Sequence, residues 1–174
     1  MTVEKHVERP TPLSADEEAF LRAFTRAILT VSRAFEADLL REQGISLSEY
    51  SALMHLSEAP GHRLRMSDLA TATALSLSGM TRIVHRLESQ GWARRERPTD
   101  DGRGWNAVLT DAGLLRLEKA WPTHLASVRR HVMDHAAKLD LAAVTAAVQQ
   151  FGEVAGSTLS PRNTPIEAQQ GLAR

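Results

Sequence analysis

The stretch SDLATATALSLSGMTRIVHRLESQGWARRERPTDDGRGWNAVLT, residues 67–110, holds two helical patterns, a turn between them, and then a segment that breaks the helical period. Ser67 is the candidate cap of a short helix through Leu69 and Ala70. Ser76 caps a second helix that runs to Gly91, where glycine suits the left-handed residue after a helix end. Beyond it, Ala93–Arg97 and Trp105–Leu109 flank a turn region from Pro98 to Gly104 and read as a two-stranded hairpin. Short helix, tight turn, second helix, hairpin: this order is what a winged helix-turn-helix requires. There the second helix enters a major groove and the wing lies beside it.

The second helix can be tested against that expectation. Residues 77–89 at 100° intervals place Leu77, Met80, Ile83, Val84 and Leu87 on one arc, and Ser78, Thr81, Arg82, His85, Arg86 and Ser89 on the other. Short hydroxyls approach a groove closely and arginine bonds guanine bidentately, so the second arc suits base edges and phosphates. Its centre carries no carboxylate, and Glu88 lies on its flank. In the wing, Arg94, Arg95 and Arg97 supply cations for backbone phosphates. At the tip, Asp101 stands two residues before Arg103, a spacing at which a carboxylate can orient a guanidinium for a narrow minor groove.

Working outward, Ser14 with Glu17 forms a capping-box pattern, followed by Phe20, Phe24, Ile28, Val31, Phe35 and Leu39 at helical spacing up to Gly44. Such a helix is longer than a compact domain of this size needs, so part of its apolar stripe is expected to meet a second copy of the chain. Ser46 with Glu49 repeats the capping box before a helix stopped by Pro60-Gly61. Thr110 caps a long fifth helix to about His135, and Asp140 a sixth ending near Gly156. The fold class is thus mainly α: a winged helix-turn-helix (46–110), long N- and C-terminal dimerisation helices (14–45 and 111–159), a small β-hairpin wing, and loosely held tails at 1–13 and 160–174.

Composition narrows the function. The 174 residues balance 21 Lys/Arg against 21 Asp/Glu, but residues 1–60 carry 10 acidic against 6 basic side chains, while residues 61–105 carry 8 basic against 5 acidic. The chain has no cysteine, which removes thiolate metal sites and thiol redox sensing. It has no apolar run near membrane-spanning length and no signal-peptide core, so no membrane partner and a cytoplasmic location are expected. A Gly-rich phosphate loop, a His-Glu-x-x-His and a Gly-x-Ser-x-Gly elbow are all missing, so the reading is a regulator and not an enzyme, with no cofactor.

The helix-turn-helix of residues 67–92, followed by Asp101-Gly102-Arg103, Ala107-Val108-Leu109-Thr110 and Gly113, resembles the MarR family of transcription regulators over about residues 15–157. The resemblance implies a homodimer built from the first, fifth and sixth helices, with each recognition helix reading half of a pseudo-palindromic operator on double-stranded DNA. It also implies Ser78, Thr81, Arg82 and Arg86 as recognition-helix contacts and Arg103, oriented by Asp101, as the minor-groove arginine. A ligand-responsive repressor is the function implied, with a small aromatic or phenolic effector as a further partner; Arg33, His55 and Trp121 are the residues the sequence offers for its cleft.

The alternative is a metal-responsive or metal-binding regulator. His124, His131 and His135 fall near one side of the expected fifth helix, at a spacing that can share a zinc ion. Arg129 and Arg130 beside them would repel a cation, and no site residue is assigned to metal.

Overall fold

A computed structural model of the chain describes residues 11–97 and 104–159. Its elements are helices α1 (Ala15–Gln43), α2 (Leu47–Glu58), α3 (Met66–Ala72), α4 (Leu77–Ser89), α5 (Asp111–His131) and α6 (Leu141–Leu159), with strands β1 (Arg63–Arg65), β2 (Ala93–Glu96) and β3 (Asn106–Leu109). Short 3₁₀ turns occupy Pro60–His62 and Met133–His135. No helix among the described residues is long and apolar enough to cross a membrane.

Local chemistry sets the helix ends. Both capping boxes form as read: Ser14 and Glu17 exchange bonds at the start of α1, and Ser46 and Glu49 do so at the start of α2. Gly44 ends α1 at φ 63°, a left-handed conformation that releases the chain into α2 at little steric cost. Over its 29 residues α1 extends about 43 Å. Its C-terminal half packs on α5 and buries Leu39 and Asp38, whereas Phe20, Leu21, Ile28 and Leu29 in the N-terminal half remain about half-exposed.

The core is built from Leu39, Ile45, Tyr50, Leu53 and Leu56, from Leu69, and from Met80, Val84 and Leu87, so that α2, α3 and α4 close on one another. The sheet, ordered β1-β3-β2 and antiparallel throughout, caps this core with β3 in the middle and all four of its residues buried. The expected hairpin is therefore present as β2 and β3, but the sequence did not signal β1. Three residues with one apolar position, Arg63-Leu64-Arg65, are too short to show an alternation.

That missed strand explains a correction at α3. The helix begins at Met66 with Arg65 as its N-cap, so Ser67 lies inside it and its Oγ bonds the Asp68 carboxylate instead. A side-chain cap is not needed. Because β1 runs straight into α3, the Met66 N–H donates to the Trp105 carbonyl at 3.0 Å, and the sheet satisfies a donor that the helix leaves open.

A second correction concerns α5, expected to reach about His135. It ends at His131, where Val132 leaves the helical region at φ −134°. The compact unit containing α1 to α5 and the sheet also ends at Val132, and the unit that follows comprises Met133–His135 and α6. In α6, Leu141, Val144, Val148 and Phe151 recur on one face at helical spacing and are exposed.

Candidate nucleic-acid interface

Helix α4 is fixed by its cap and its buried face. Ser76 Oγ accepts from the Gly79 N–H at 3.1 Å, and Met80, Ile83, Val84 and Leu87 enter the core. Ser78, Thr81, Arg82, His85, Arg86 and Ser89 are exposed together on the opposite face, as the helical period requires. Leu77 departs from its expected arc: it is 55% exposed. As the first helical residue it projects past the end of the core, into an open cleft shared with Arg65, Ser67, Thr81, Arg95 and Trp105.

Electrostatics divides the cations of this surface into two kinds. Arg86 Nε bonds Glu49 Oε1 at 2.7 Å, and Arg95 Nε bonds Glu88 Oε2 at 2.8 Å, with the Arg95 N–H on the other oxygen of Glu88. Among the described residues no carboxylate lies within ion-pair distance of Arg82. Burial pushes the Glu49 carboxyl up, but its bonds from Arg86 and from Ser46 outweigh that and hold it below the usual carboxylate range.

The strand period sorts the wing arginines. Arg95 and Arg97 stand over the Trp105 ring at 5.9 and 5.3 Å from its centre, while Arg94 pairs with Glu96, which also receives Arg63. Arg95 lines a second hollow together with Thr81, Arg82, His85 and Arg86, so it joins the α4 surface. The sequence reading did not assign Arg65, Ser67 or Trp105 to this surface. The alternation of Arg95 and Arg97, with Trp105 just ahead of the facing strand, was the available signal. Asp101 and Arg103 lie outside the described residues.

The remaining candidates do not converge. Arg33 is exposed on α1, His55 is half-buried on α2 and Trp121 is half-exposed on α5; no described contact joins the three. His124 is packed among aromatic rings, with Tyr50 at 4.5 Å and Phe35 at 5.5 Å between centroids, and burial lowers its pKa. His131 bonds Asp38 at 3.1 Å. With His135 beyond the end of α5, the three histidines do not share a helix, and among the described residues no group of three or more His, Cys, Asp or Glu is placed to hold a metal ion. Burial, then the charge of Glu58, pushes the Tyr50 phenol up to about 12.

Comparison with solved structures decides the family. AbsC from Streptomyces coelicolor, a MarR family transcriptional regulator, is 36% identical, with a TM-score of 0.77 over 85% of this chain and 99% of that one. The chain belongs to the MarR family. A MarR family model matches residues 43–104, the segment from the end of α1 to just before β3. A second MarR regulator of S. coelicolor, Sco3205, solved in complex with DNA, is 31% identical with a TM-score of 0.75 over 88% of this chain and 94% of its own. The transcriptional repressor MprA of Escherichia coli K12 is 32% identical over 84 residues, 48% of this chain and 48% of MprA, so the match spans about half the length of that relative. These MarR relatives are transcription regulators, which agrees with a site made of exposed hydrogen-bond donors on α4.

Proposed function

We propose that the protein is a homodimeric repressor that binds a pseudo-palindromic operator on double-stranded DNA in the cytoplasm, responds to a small effector and catalyses no reaction. The observation that carries this reading is the exposed face of α4: hydroxyls, Arg82 and His85 together, with no carboxylate among them. Support comes from the MarR relative Sco3205, which was solved with DNA bound. Ser78, Thr81, Arg82 and His85 read base edges and Arg97 lies along the backbone, while Arg95, paired with Glu88, ties the wing to α4 and Arg94, paired with Glu96, faces the other side of the strand. Arg103, oriented by Asp101, completes the interface as the minor-groove arginine that the family resemblance implies. That resemblance also supplies the effector class, an aromatic or phenolic anion.

Arg82→Ala tests the base-reading role. On duplexes drawn from DNA upstream of the protein's own coding region, it should flatten the discrimination between base-substituted variants, about 1–3 kcal/mol at the position read. Equal weakening across all variants would leave Arg82 as a phosphate contact only.

The dimer follows from apolar surface a single chain leaves open: Phe20, Leu21, Ile28 and Leu29 on α1, and Leu115, Trp121 and Leu125 on α5. Its thermal midpoint is expected to rise with protein concentration, because association and folding are then linked. A midpoint independent of concentration, with a monomeric sedimentation profile, would contradict the dimer.

A further inference from the structure

The Glu49 carboxylate touches two elements at once. Its Oε2 accepts from the Ser46 N–H at 2.9 Å and the Ser46 hydroxyl at 2.8 Å, closing the cap of α2, while its Oε1 accepts from Arg86 Nε on α4 at 2.7 Å. Among the described residues this is the one side-chain hydrogen bond between α2 and α4. The joint that it braces is held from the other side as well: Arg116 of α5 donates to the Gln43 carbonyl, Gln43 donates to Thr123 of α5 at 2.9 Å, and Glu36 of α1 receives the Leu47 N–H. Glu49 is 14% exposed at its side chain and Arg86 51%.

We propose that Arg86 is a positioning residue for DNA recognition: clamped by Glu49, it sets the seat of α4 on the joint between α1 and α2, and so places Ser78, Thr81 and Arg82. This rests on the DNA-binding reading above. Two features separate Arg86 from a phosphate contact. Its charge is matched locally by Glu49, so it releases few counterions on binding, whereas Arg82 has no described carboxylate partner. Its guanidinium also commits Nε to a fixed, planar bond that a flexible phosphate clamp does not require. On the far flank of α4 the bond from Arg95 to Glu88 makes the matching tie to β2, so the recognition helix is braced on both sides.

The full-length protein first enriches a duplex from a random-sequence pool, and the affinity for that duplex is then measured against salt concentration. The variants are Glu49→Gln, Arg86→Gln, the double variant, Arg86→Lys and, as comparator, Arg82→Gln. Glutamine at position 49 can still serve the capping box, so α2 stays capped; circular dichroism at the assay temperature checks folding. Glu49→Gln and Arg86→Gln should each weaken binding about tenfold, with the double variant no weaker than either, because both remove the same contact. For Arg86→Gln the slope of log affinity against log salt should stay that of the parent, while Arg82→Gln loses about one unit. Arg86→Lys, which keeps the charge but not the planar fork, should behave like Arg86→Gln and supplies the same decision should that variant not fold.

The proposal is overturned if Arg86→Gln lowers the slope by about one unit, if Arg86→Lys binds as the parent does, or if Glu49→Gln binds as tightly as the parent or more so. Failure of the parent itself to enrich any duplex overturns the DNA-binding reading, and this inference with it.

Discussion

Gly113→Ala is expected to destabilise the protein by about 3 kcal/mol, although alanine is the better helix former by about 1 kcal/mol. Gly113 sits in the first turn of α5, where its N–H donates to the Thr110 cap at 3.1 Å. A Cβ there would stand 2.0 Å from the Trp92 carbonyl oxygen and 2.8 Å from Leu109 Cδ1. Leu109 can rotate aside, but the Trp92 backbone cannot retreat cheaply. The Trp92 carbonyl accepts from the Thr110 N–H at 3.1 Å, and the Thr110 hydroxyl donates to the Gly91 carbonyl at 2.7 Å, so the end of α4, the root of the wing and the start of α5 are laced together at this point. Gly152→Ala in α6 is the control: nothing lies within 4 Å of its Cβ, and the substitution should stabilise by up to about 1 kcal/mol. Urea unfolding of the two variants should give shifts of opposite sign; a Gly113→Ala protein as stable as the parent would show that this joint is looser than its geometry implies.

Asp38→Asn is the second large effect, expected to cost about 2 kcal/mol at neutral pH. Asp38 is 5% exposed and accepts from the Ser127 hydroxyl at 2.6 Å, from Arg41 at 2.6 Å and from His131 at 3.1 Å. The bonds from Ser127 and Arg41, with a smaller share from His131, outweigh burial and hold the carboxyl well below the usual carboxylate range. A group whose pKa is depressed by folding stabilises the native state above its unfolded pKa, about 3.9 for aspartate, and loses that contribution as pH falls towards the folded value. The parent should therefore lose stability below about pH 4 more steeply than Asp38→Asn. Parallel stability profiles of the two proteins between neutral and acid pH would show that the cluster on Asp38 carries no such linkage.

These two sites also show what was legible beforehand. Ser14 with Glu17 and Ser46 with Glu49 could be read because a capping box lies within four consecutive positions, and the two faces of α4 because a helix fixes side-chain direction from spacing alone. Ser67 was misread because its pattern fits a cap, whereas β1 starts α3 already at Met66, whose N–H is taken by the Trp105 carbonyl nearly forty residues later. Glu49 and Arg86 are 37 residues apart, Asp38 and Ser127 are 89, and Asp38 and His131 are 93. Each residue reads locally as a cap, an exposed arginine or an ordinary helical polar position; only tertiary packing brings the partners together. Arg82 stood out for the opposite reason, since a cation on a face with no nearby carboxylate is visible in the helical period itself.

The central claim, that the exposed face of α4 on a two-fold dimer reads DNA sequence, is tested most directly by selection of duplexes from a random pool with the full-length protein and sequencing of those retained. The account predicts an enriched, two-fold symmetric motif with half-sites about one helical turn apart, about 10 base pairs between centres. It also predicts that Arg82→Ala relaxes the preference at one pair of symmetry-related positions and leaves the half-site spacing unchanged. Retention of duplexes with no shared sequence, or of an asymmetric motif untouched by Arg82→Ala, would contradict it.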